Sequence, residues 1–280
     1  MTNILPNKLI ICITFHYVHE RLKYLDIITN TLNQLANEVL VIIVTNTNSE
    51  QNKYEICNII QNKGFQFEIH TPALLGHPYL LTWAHYSIIK DIIQDSTFTH
   101  FMYLEDDILI KKENMEYWME GRELLKPFNC YPSFLRVEKK LEDDEKWYSS
   151  DARAHWDISQ FPFLSVAKDY VFITPQHPYQ GMYLYDRELM LEHLNGPSFS
   201  TDLKLPFDAD ALIGIRERAN IGLSFTGVNE GKTRNLIGFN PISNSVDKRC
   251  LIHHTPNNYV NMPGYQWISI DELFIGSISN

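Results

Sequence analysis

Three consecutive carboxylates, Glu105, Asp106 and Asp107, are the residues of this sequence with the most chemical content. They follow the apolar segment 101–104, which should be buried, so their mutual repulsion costs stability unless a cation neutralises them. Hard cations such as Mg²⁺ and Mn²⁺ prefer oxygen ligands and commonly share them with the phosphates of a substrate. A solvated loop whose acidic residues cap the next helix explains the same pattern. The cluster therefore predicts a divalent-metal site, with helix capping as the alternative.

The elements that would position this cluster alternate between strand and helix over the first hundred residues. Apolar, β-branched runs predict buried strands, and apolar residues at helical spacing predict helices. The predicted strands are 8–15, 39–45, 65–70 and 99–104, and the predicted helices are 20–37, 51–62 and 77–94. This order favours a parallel sheet with right-handed crossovers and a ligand site at the carboxyl ends of its strands. The carboxylates follow the fourth strand directly, so we expect them at that edge.

The second half of the chain is less regular. Its predicted helices are 111–126, 187–194 and 208–222, and its predicted strands are 133–138 and 181–185. Between 142 and 180 the sequence is rich in aromatic residues and proline, and we interpret the acidic run 142–145 as a solvated excursion. Neither repeats nor a low-complexity linker interrupt the sequence. We therefore expect a single domain over residues 1–280, with a nucleotide-binding first half and a variable second half.

The overall charge excludes one class of partner. The 280 residues carry 34 acidic and 24 basic side chains, for a formal net charge of −10. A nucleic-acid-binding protein needs a positive surface, so we expect no nucleic-acid partner, whereas a phosphorylated ligand can be brought in by a metal ion. The four cysteines are far apart, and no apolar stretch reaches the length of a membrane helix. These features predict a cytoplasmic protein, with peripheral association at the inner face of the membrane as an alternative.

These segments together resemble the GT-A class of nucleotide-sugar-dependent glycosyltransferases, DxD-type enzymes of the kind that serve bacterial glycan synthesis. The resemblance rests on the strand 8–15 followed by Arg21, on the strand that ends at Asn46, and on the segment 99–107, which is similar to the acidic DxD motif. It implies an α/β, GT-A-like single domain with a Rossmann-like, mostly parallel central sheet flanked by helices. In that arrangement, about 1–110 binds the nucleotide sugar and about 111–280 carries the acceptor and catalytic residues.

The resemblance assigns roles to the three carboxylates. In that class the acidic motif contacts the donor ribose and a divalent metal, Mn²⁺ or Mg²⁺, that bridges the diphosphate. Glu105 or Asp106 is thereby expected near the sugar, and Asp107 on the metal with Glu105 as a further ligand. Here Glu105 stands at the first position of the motif, which departs from the usual Asp.

The donor is expected to contact residues that follow the first two strands. Asn46 ends the second strand, where contacts to a uracil-like base or ribose are usual, and a UDP-sugar is the favoured donor. His16, Tyr17 and Arg21 follow the first strand, and a guanidinium matches the oxygens of a diphosphate. A turn role for Asn46 and a surface ion pair of the i,i+4 type for Arg21 are the alternatives.

The segment 208–222 resembles the "ED…DL…R…G" helix of many inverting members, where a carboxylate takes the proton of the acceptor hydroxyl. Such a base must lie within hydrogen-bond reach of the nucleophile. Asp210 is the favoured base, followed by Asp208. The alternative is an N-cap at Asp208 with Asp210 in the first helical turn.

A late histidine completes the metal ligands in many members of the class, and His253-His254 occupies a comparable place. Imidazole is a good ligand for Mn²⁺. Adjacent residues on a strand point to opposite faces, so only one of the two can be the ligand. We favour His254 over His253, with a surface histidine beside a turn as the alternative.

The function that follows is a metal-dependent glycosyltransferase acting on a glycan or lipid-linked acceptor, with inversion favoured through the carboxylates of 208–210. Motifs of P-loop kinases, GxSxG hydrolases and HExxH metalloproteases are missing from the sequence. A sugar-nucleotide nucleotidyltransferase is one alternative, disfavoured because no glycine-rich basic loop follows the first strand. A non-catalytic carbohydrate-binding module on the same fold is the other.

Overall fold

A computed structural model describes residues 5–73, 75–152, 154–167, 169–202, 205, 214–229, 231–264 and 267–278, without the side chain of residue 144. The chain forms two compact units. The first unit comprises Met1–Lys112 and Tyr179–Thr226, and the second comprises Glu113–Pro178 and Gly227–Asn280. The expectation of one domain over residues 1–280 stays a prediction.

The elements of the described residues are numbered in chain order. The strands are β1 (Lys8–Phe15), β2 (Glu38–Thr45), β3 (Gln66–His70), β4 (His100–Glu105), β5 (Ile108–Leu109), β6 (Tyr131–Pro132), β7 (Leu135–Lys140), β8 (Asp143–Ser149), β9 (Trp156–Asp157), β10 (Phe163–Ala167), β11 (Tyr170–Ile173), β12 (Met182–Asp186), β13 (Asn235–Asn240), β14 (Ser245–Val246), β15 (Leu251–His254) and β16 (Phe274–Ile275). The α-helices are α1 (Leu22–Thr29), α2 (Glu50–Ile60), α3 (His85–Ile92), α4 (Lys112–Leu125), α5 (Arg187–Asn195) and α6 (Ile215–Ile221). Short 3-10 turns span His19–Arg21, Leu32–Gln34, Pro78–Trp83, Lys126–Phe128, Ile158–Gln160, Gly222–Phe225, Lys248–Cys250 and Ile270–Glu272.

The first unit is built on a five-stranded sheet with the order β12-β4-β1-β2-β3. Strands β1, β2, β3 and β4 are mutually parallel, and β12 pairs with β4 in the antiparallel direction. The parallel strands are connected by α1, α2 and α3, as the alternating apolar patterns predict. A mixed α/β chain with a Rossmann-like, mostly parallel central sheet flanked by helices is therefore confirmed.

The centre of this sheet forms the core of the first unit. Every residue from Leu9 to Ile13 in β1 has 0% exposure, and residues 101–104 of β4 are equally inaccessible. Such continuous apolar runs, rather than alternating ones, are typical of parallel strands covered on both faces. The register of these buried strands fixes the positions at which β1, β2 and β4 end.

The second unit contains small, mostly antiparallel sheets. β10, β11, β13 and β14 form one antiparallel sheet, and β6 pairs in parallel with β13. β7 pairs with β15 in parallel and with β8 in the antiparallel direction, and β9 pairs with β16. The acidic run 142–145 thus leads into a strand whose described acidic side chains stay exposed or half-buried. Of the helices in the described ranges, none has the length and apolar content that a bilayer crossing requires.

Candidate active site

The candidate site lies at the carboxyl edge of the first-unit sheet, where its parallel strands end. β1, β2 and β4 end at Phe15, Thr45 and Glu105, and the register pairs Phe15 with Thr45 and Thr14 with Glu105. β12 runs in the opposite direction and therefore starts at this edge. The backbone N–H of Glu105 donates to the carbonyl oxygen of Gly181 at 2.9 Å. The residues that follow each strand are thereby brought to one edge, as expected for an open α/β sheet.

Tyr17 and Asn46, which follow neighbouring strands, are in direct contact. The backbone N–H of Tyr17 donates to Oδ1 of Asn46 at 2.7 Å, so the Asn46 side chain fixes the turn after β1. The Tyr17 hydroxyl donates to Oε2 of Glu55 in α2 at 2.6 Å, and Nδ1 of His19 lies 3.1 Å from the same oxygen. The hydrogen bond to Glu55 raises the pKa of Tyr17 to about 12 and lowers the pKa of Glu55. His16, which the sequence analysis also predicts to contact the donor, is exposed.

Arg21 is hydrogen-bonded to two of the three predicted carboxylates. It is the last residue of the turn His19–Arg21. Its Nε donates to Oδ2 of Asp106 at 2.7 Å, and its Nη2 donates to Oδ1 of the same carboxylate at 2.6 Å. Nη2 also donates to Oδ2 of Asp107 at 2.8 Å. A planar guanidinium can bind a carboxylate through two parallel hydrogen bonds, which an ammonium cannot do. The cation that the sequence argument required is therefore supplied within the structure by a side chain 85 positions away.

The two aspartates are nearly inaccessible, with 5% exposure for Asp106 and 7% for Asp107. Removal from water penalises the charged form and raises the pKa of Asp106 to about 6, although the hydrogen bond from Arg21 acts in the opposite direction. The charge of Asp107 adds to the increase in the pKa of Asp106. The hydrogen bond to Asp106 is in turn the main reason that the pKa of Arg21 is raised. The guanidinium stays charged throughout the physiological range.

Glu105, the first carboxylate of the cluster, is held by a different set of donors. The hydroxyl of Tyr179 lies 2.9 Å from its Oε1 and 3.0 Å from its Oε2, so that it donates to the carboxylate. Nδ2 of Asn220, in α6, donates to Oε1 at 3.0 Å. Sequence reasoning missed both donors, because their pairing with Glu105 spans 74 and 115 positions. Asn220 lies within the segment 208–222 but is not one of the residues on which the resemblance of that segment rests. Glu105 is therefore fixed independently of the two aspartates.

Gly181 permits β12 to start beside Glu105. Its φ of +69° lies in the left-handed region that favours glycine. A Cβ at this position would lie 2.9 Å from Cγ1 of Ile108 and 3.3 Å from Oε2 of Glu105. The sequence signal that could have located this position is the glycine at the first position of the predicted strand 181–185.

The two late histidines belong to the second unit and point to different faces of β15. His254 is buried, and its Nδ1 is hydrogen-bonded to Oε1 of Glu138. His253 is half-buried, and its Nε2 lies 2.8 Å from Oδ1 of Asn257. Burial lowers the pKa of His253. The structure places Asp107 in the first unit, and the metal role of His254 stays a prediction.

The two residues favoured as the general base, Asp208 and Asp210, lie outside the described residues. Their role stays a prediction. Within the described part of this segment, residues 214–222, the helix α6 spans Ile215–Ile221 and carries Asn220, the donor to Glu105.

The chemistry of Asp106 and Asp107 fits a hard divalent cation. The metal-ligating atoms would be the oxygens of two adjacent carboxylates. Both carboxylates already bind one cationic group, the guanidinium of Arg21. Within the described ranges, no group of three or more His, Cys, Asp or Glu side chains is arranged to hold a metal ion. A metal here would take one or two carboxylates from the chain and its other ligands from substrate phosphates, as Mg²⁺ usually does.

Comparisons with known proteins identify no family. No protein-family model and no curated protein matches the chain. Among solved structures, the chain is similar to the galactosyltransferase LgtC in complex with donor and acceptor sugar analogues, with 12% identity and a TM-score of 0.26. The alignment covers 51% of this chain and 54% of that one, so the chain spans about half the length of LgtC.

Proposed function

We propose that this protein is a metal-dependent glycosyltransferase of the GT-A type. It would move a sugar from a nucleotide diphosphate sugar, most favourably a UDP-sugar, to a hydroxyl of a glycan or lipid-linked acceptor in polysaccharide biosynthesis. The observation that carries the proposal is the cluster of Arg21, Asp106 and Asp107 at the carboxyl edge of a parallel sheet. This edge is where open α/β sheets bind their ligands, and Asn46 lies on it beside the end of β1.

Each residue of the edge has a defined task in this proposal. Asp107 and Asp106 would hold the cation that neutralises the diphosphate at the end of β4, and Glu105 would accept hydrogen bonds from hydroxyl groups of the donor. Asn46 and Tyr17 shape the turn against which the base or ribose lies. A divalent cation bound to these carboxylates supplies charge stabilisation to the departing diphosphate.

Acceptor activation is assigned to the segment before α6. A carboxylate of Asp210, or in second place Asp208, would remove the proton of the acceptor hydroxyl as the sugar is attacked. Attack from the face opposite the leaving diphosphate inverts the anomeric centre. Replacing Asp210 by Asn should therefore spare donor binding and stop transfer.

The proposal is tested by thermal shift with UDP-, GDP- and CMP-sugars, each with and without Mn²⁺. One nucleotide sugar should raise the melting temperature more with Mn²⁺ than without it, because ligands that bind only the folded state stabilise it. Asp107→Asn should abolish that metal-dependent increment. Asp26→Asn is the matched control, since it removes an exposed carboxylate of the same unit that pairs with Lys63.

The products of the reaction separate the candidate activities. Release of a nucleoside diphosphate with sugar transfer supports a glycosyltransferase, whereas pyrophosphate formation identifies a nucleotidyltransferase. Binding without turnover identifies a carbohydrate-binding module. If no nucleotide sugar stabilises the protein in the presence of Mn²⁺, the proposal is wrong.

A further inference from the structure

Arg21 is bound to the same two carboxylates that the proposed function gives to a divalent cation. Its Nε and Nη2 bind both oxygens of Asp106, and Nη2 also binds Asp107. We propose that Arg21 is an exchangeable internal counter-ion: it balances part of the charge of Asp106 and Asp107 when no metal is bound, and it moves to the donor diphosphate when a divalent cation takes the aspartates. This inference rests on the proposed function and adds a positioning residue to it.

The charges of the described residues favour such an exchange. Asp106 and Asp107 together carry a formal charge of −2 when ionised, and the one guanidinium supplies +1. Both aspartates have less than a tenth of their surface exposed, so the remaining negative charge is poorly screened by water. A divalent cation would neutralise the pair completely. Arg21 would be needed only until that cation arrives.

The position of Arg21 allows it to leave. Its side chain is 33% exposed, against 7% and 10% for the side chains of Asp106 and Asp107, so the cation lies towards solvent and the anions lie behind it. Arg21 stands at the end of a single 3-10 turn in which none of the three residues is buried. Its guanidinium carbon already lies 5.7 Å from the centroid of the Tyr24 ring, and an aromatic face is a favourable surface for a guanidinium.

The donor would give Arg21 new partners in place of those it loses. The diphosphate offers pairs of anionic oxygens that a guanidinium can bind bidentately, as it now binds Asp106. The exchange replaces one set of charge-assisted hydrogen bonds by another and needs no covalent step. Arg21 thereby couples metal binding to donor binding, because its departure from the aspartates and its arrival at the diphosphate are one movement.

The test measures Mn²⁺ binding by electron paramagnetic resonance, first without nucleotide and then with UDP or GDP. Arg21→Gln should bind Mn²⁺ alone about tenfold more tightly than the wild type, since coupling between close charges of this kind commonly exceeds the 1.4 kcal/mol that a tenfold change represents. The same variant should bind the Mn²⁺–nucleotide complex more weakly, because the diphosphate has lost the guanidinium. Opposite changes in the two affinities are not expected from a purely structural arginine.

Two further variants keep the result interpretable. Lys63→Gln removes one positive charge from an ion pair with Asp26 in the same unit and should match the wild type in both measurements. Arg21→Lys keeps the positive charge but loses the planar guanidinium that binds a carboxylate through two hydrogen bonds. It should therefore also bind Mn²⁺ alone more tightly than the wild type. It serves as the decisive variant if circular dichroism shows that Arg21→Gln is unfolded.

The outcomes distinguish this inference from the proposed function. Unchanged or weaker binding of Mn²⁺ alone in the folded Arg21 variants overturns the exchange, even where the wild type binds the Mn²⁺–nucleotide complex. A wild type that binds no Mn²⁺ with either nucleotide overturns the proposed function, and the exchange falls with it.

Discussion

At the scale of single residues, the three adjacent carboxylates are not equivalent. Asp106 and Asp107 are bound by one guanidinium, whereas Glu105 receives its hydrogen bonds from Tyr179 and Asn220. The sequence was sufficient to predict that these carboxylates end a buried strand and need a cation. It was insufficient to predict which cation, because Arg21 lies 85 positions from Asp106 and no local rule relates them.

Tyr179 provides a residue-scale test of the role of Glu105. Tyr179→Phe removes the hydroxyl that donates to both carboxylate oxygens and leaves the ring in place. We expect a folded protein whose KM for the nucleotide sugar rises several-fold with a smaller change in kcat, because a less restrained carboxylate positions the donor poorly. A single hydrogen bond to a charged group is typically worth about 1.5–3 kcal/mol, and this value is the upper limit for the loss of donor binding that Tyr179→Phe should cause.

The matched control is Tyr54→Phe, which alters a tyrosine of the same unit that is 62% exposed. Steady-state kinetics at varied donor concentration should show no change for it. If Tyr179→Phe has wild-type kinetics as well, Glu105 does not position the donor.

At the scale of elements, local patterns predicted strands better than long helices. The strand 8–15 is found as Lys8–Phe15, whereas the predicted helix 20–37 is broken after Thr29. The hydroxyl of Thr29 donates to the Leu25 carbonyl and that of Thr31 to the Ile28 carbonyl. Such side chains compete for the carbonyls that would continue a helix, which apolar spacing alone does not reveal.

The strand 181–185 was predicted, but its antiparallel pairing with β4 was not. A hydrophobic pattern locates a strand along the sequence, but it does not indicate which strand lies beside it in the sheet.

The turn into β12 gives an element-scale prediction. Gly181→Ala should destabilise the protein because alanine is strained at a φ of +69° and its Cβ would contact Ile108 and Glu105. We expect a loss of about 2–4 kcal/mol in the free energy of unfolding, measured by urea denaturation.

Gly76→Ala separates the two causes. Gly76 has a similar φ of +67°, but a Cβ there would have nothing within 4 Å, so only the backbone strain remains. It should cost about 1 kcal/mol. Equal losses for the two variants would show that crowding at the start of β12 is unimportant.

At the scale of the whole molecule, acid stability should depend on two buried histidines of the first unit. Burial lowers the pKa of His85 and of His193 to about 3. Nδ1 of His85 donates to the Thr82 carbonyl at 2.7 Å, which leaves Nε2 to accept from the Tyr183 hydroxyl at 2.8 Å. Both imidazoles are therefore neutral in the folded protein.

The sign of the pH dependence follows from these pKa values. Unfolded histidine has a pKa of about 6.5, so between pH 6.5 and 3 the unfolded chain binds more protons than the folded one. The stabilisation is complete above pH 6.5 and is lost as the pH falls, by up to about 1.4 kcal/mol per pH unit for each histidine. His85→Gln should reduce the slope of the unfolding free energy between pH 6 and 4 in urea titrations. Parallel curves for variant and wild type would contradict the assignment.

The antiparallel strand β12 has a consequence for how the chain is made. Residues 106–181 separate β4 from β12, the strand that pairs with its other edge, so during synthesis β4 leaves the ribosome long before β12 exists. Until residue 186 has emerged, a buried, apolar strand has one row of backbone donors and acceptors without their final partners, which is a template for association with other chains. We expect a fragment that ends at residue 112 to be recovered mainly in the aggregated fraction, and the addition of a peptide with the sequence of residues 179–186 to increase its soluble yield.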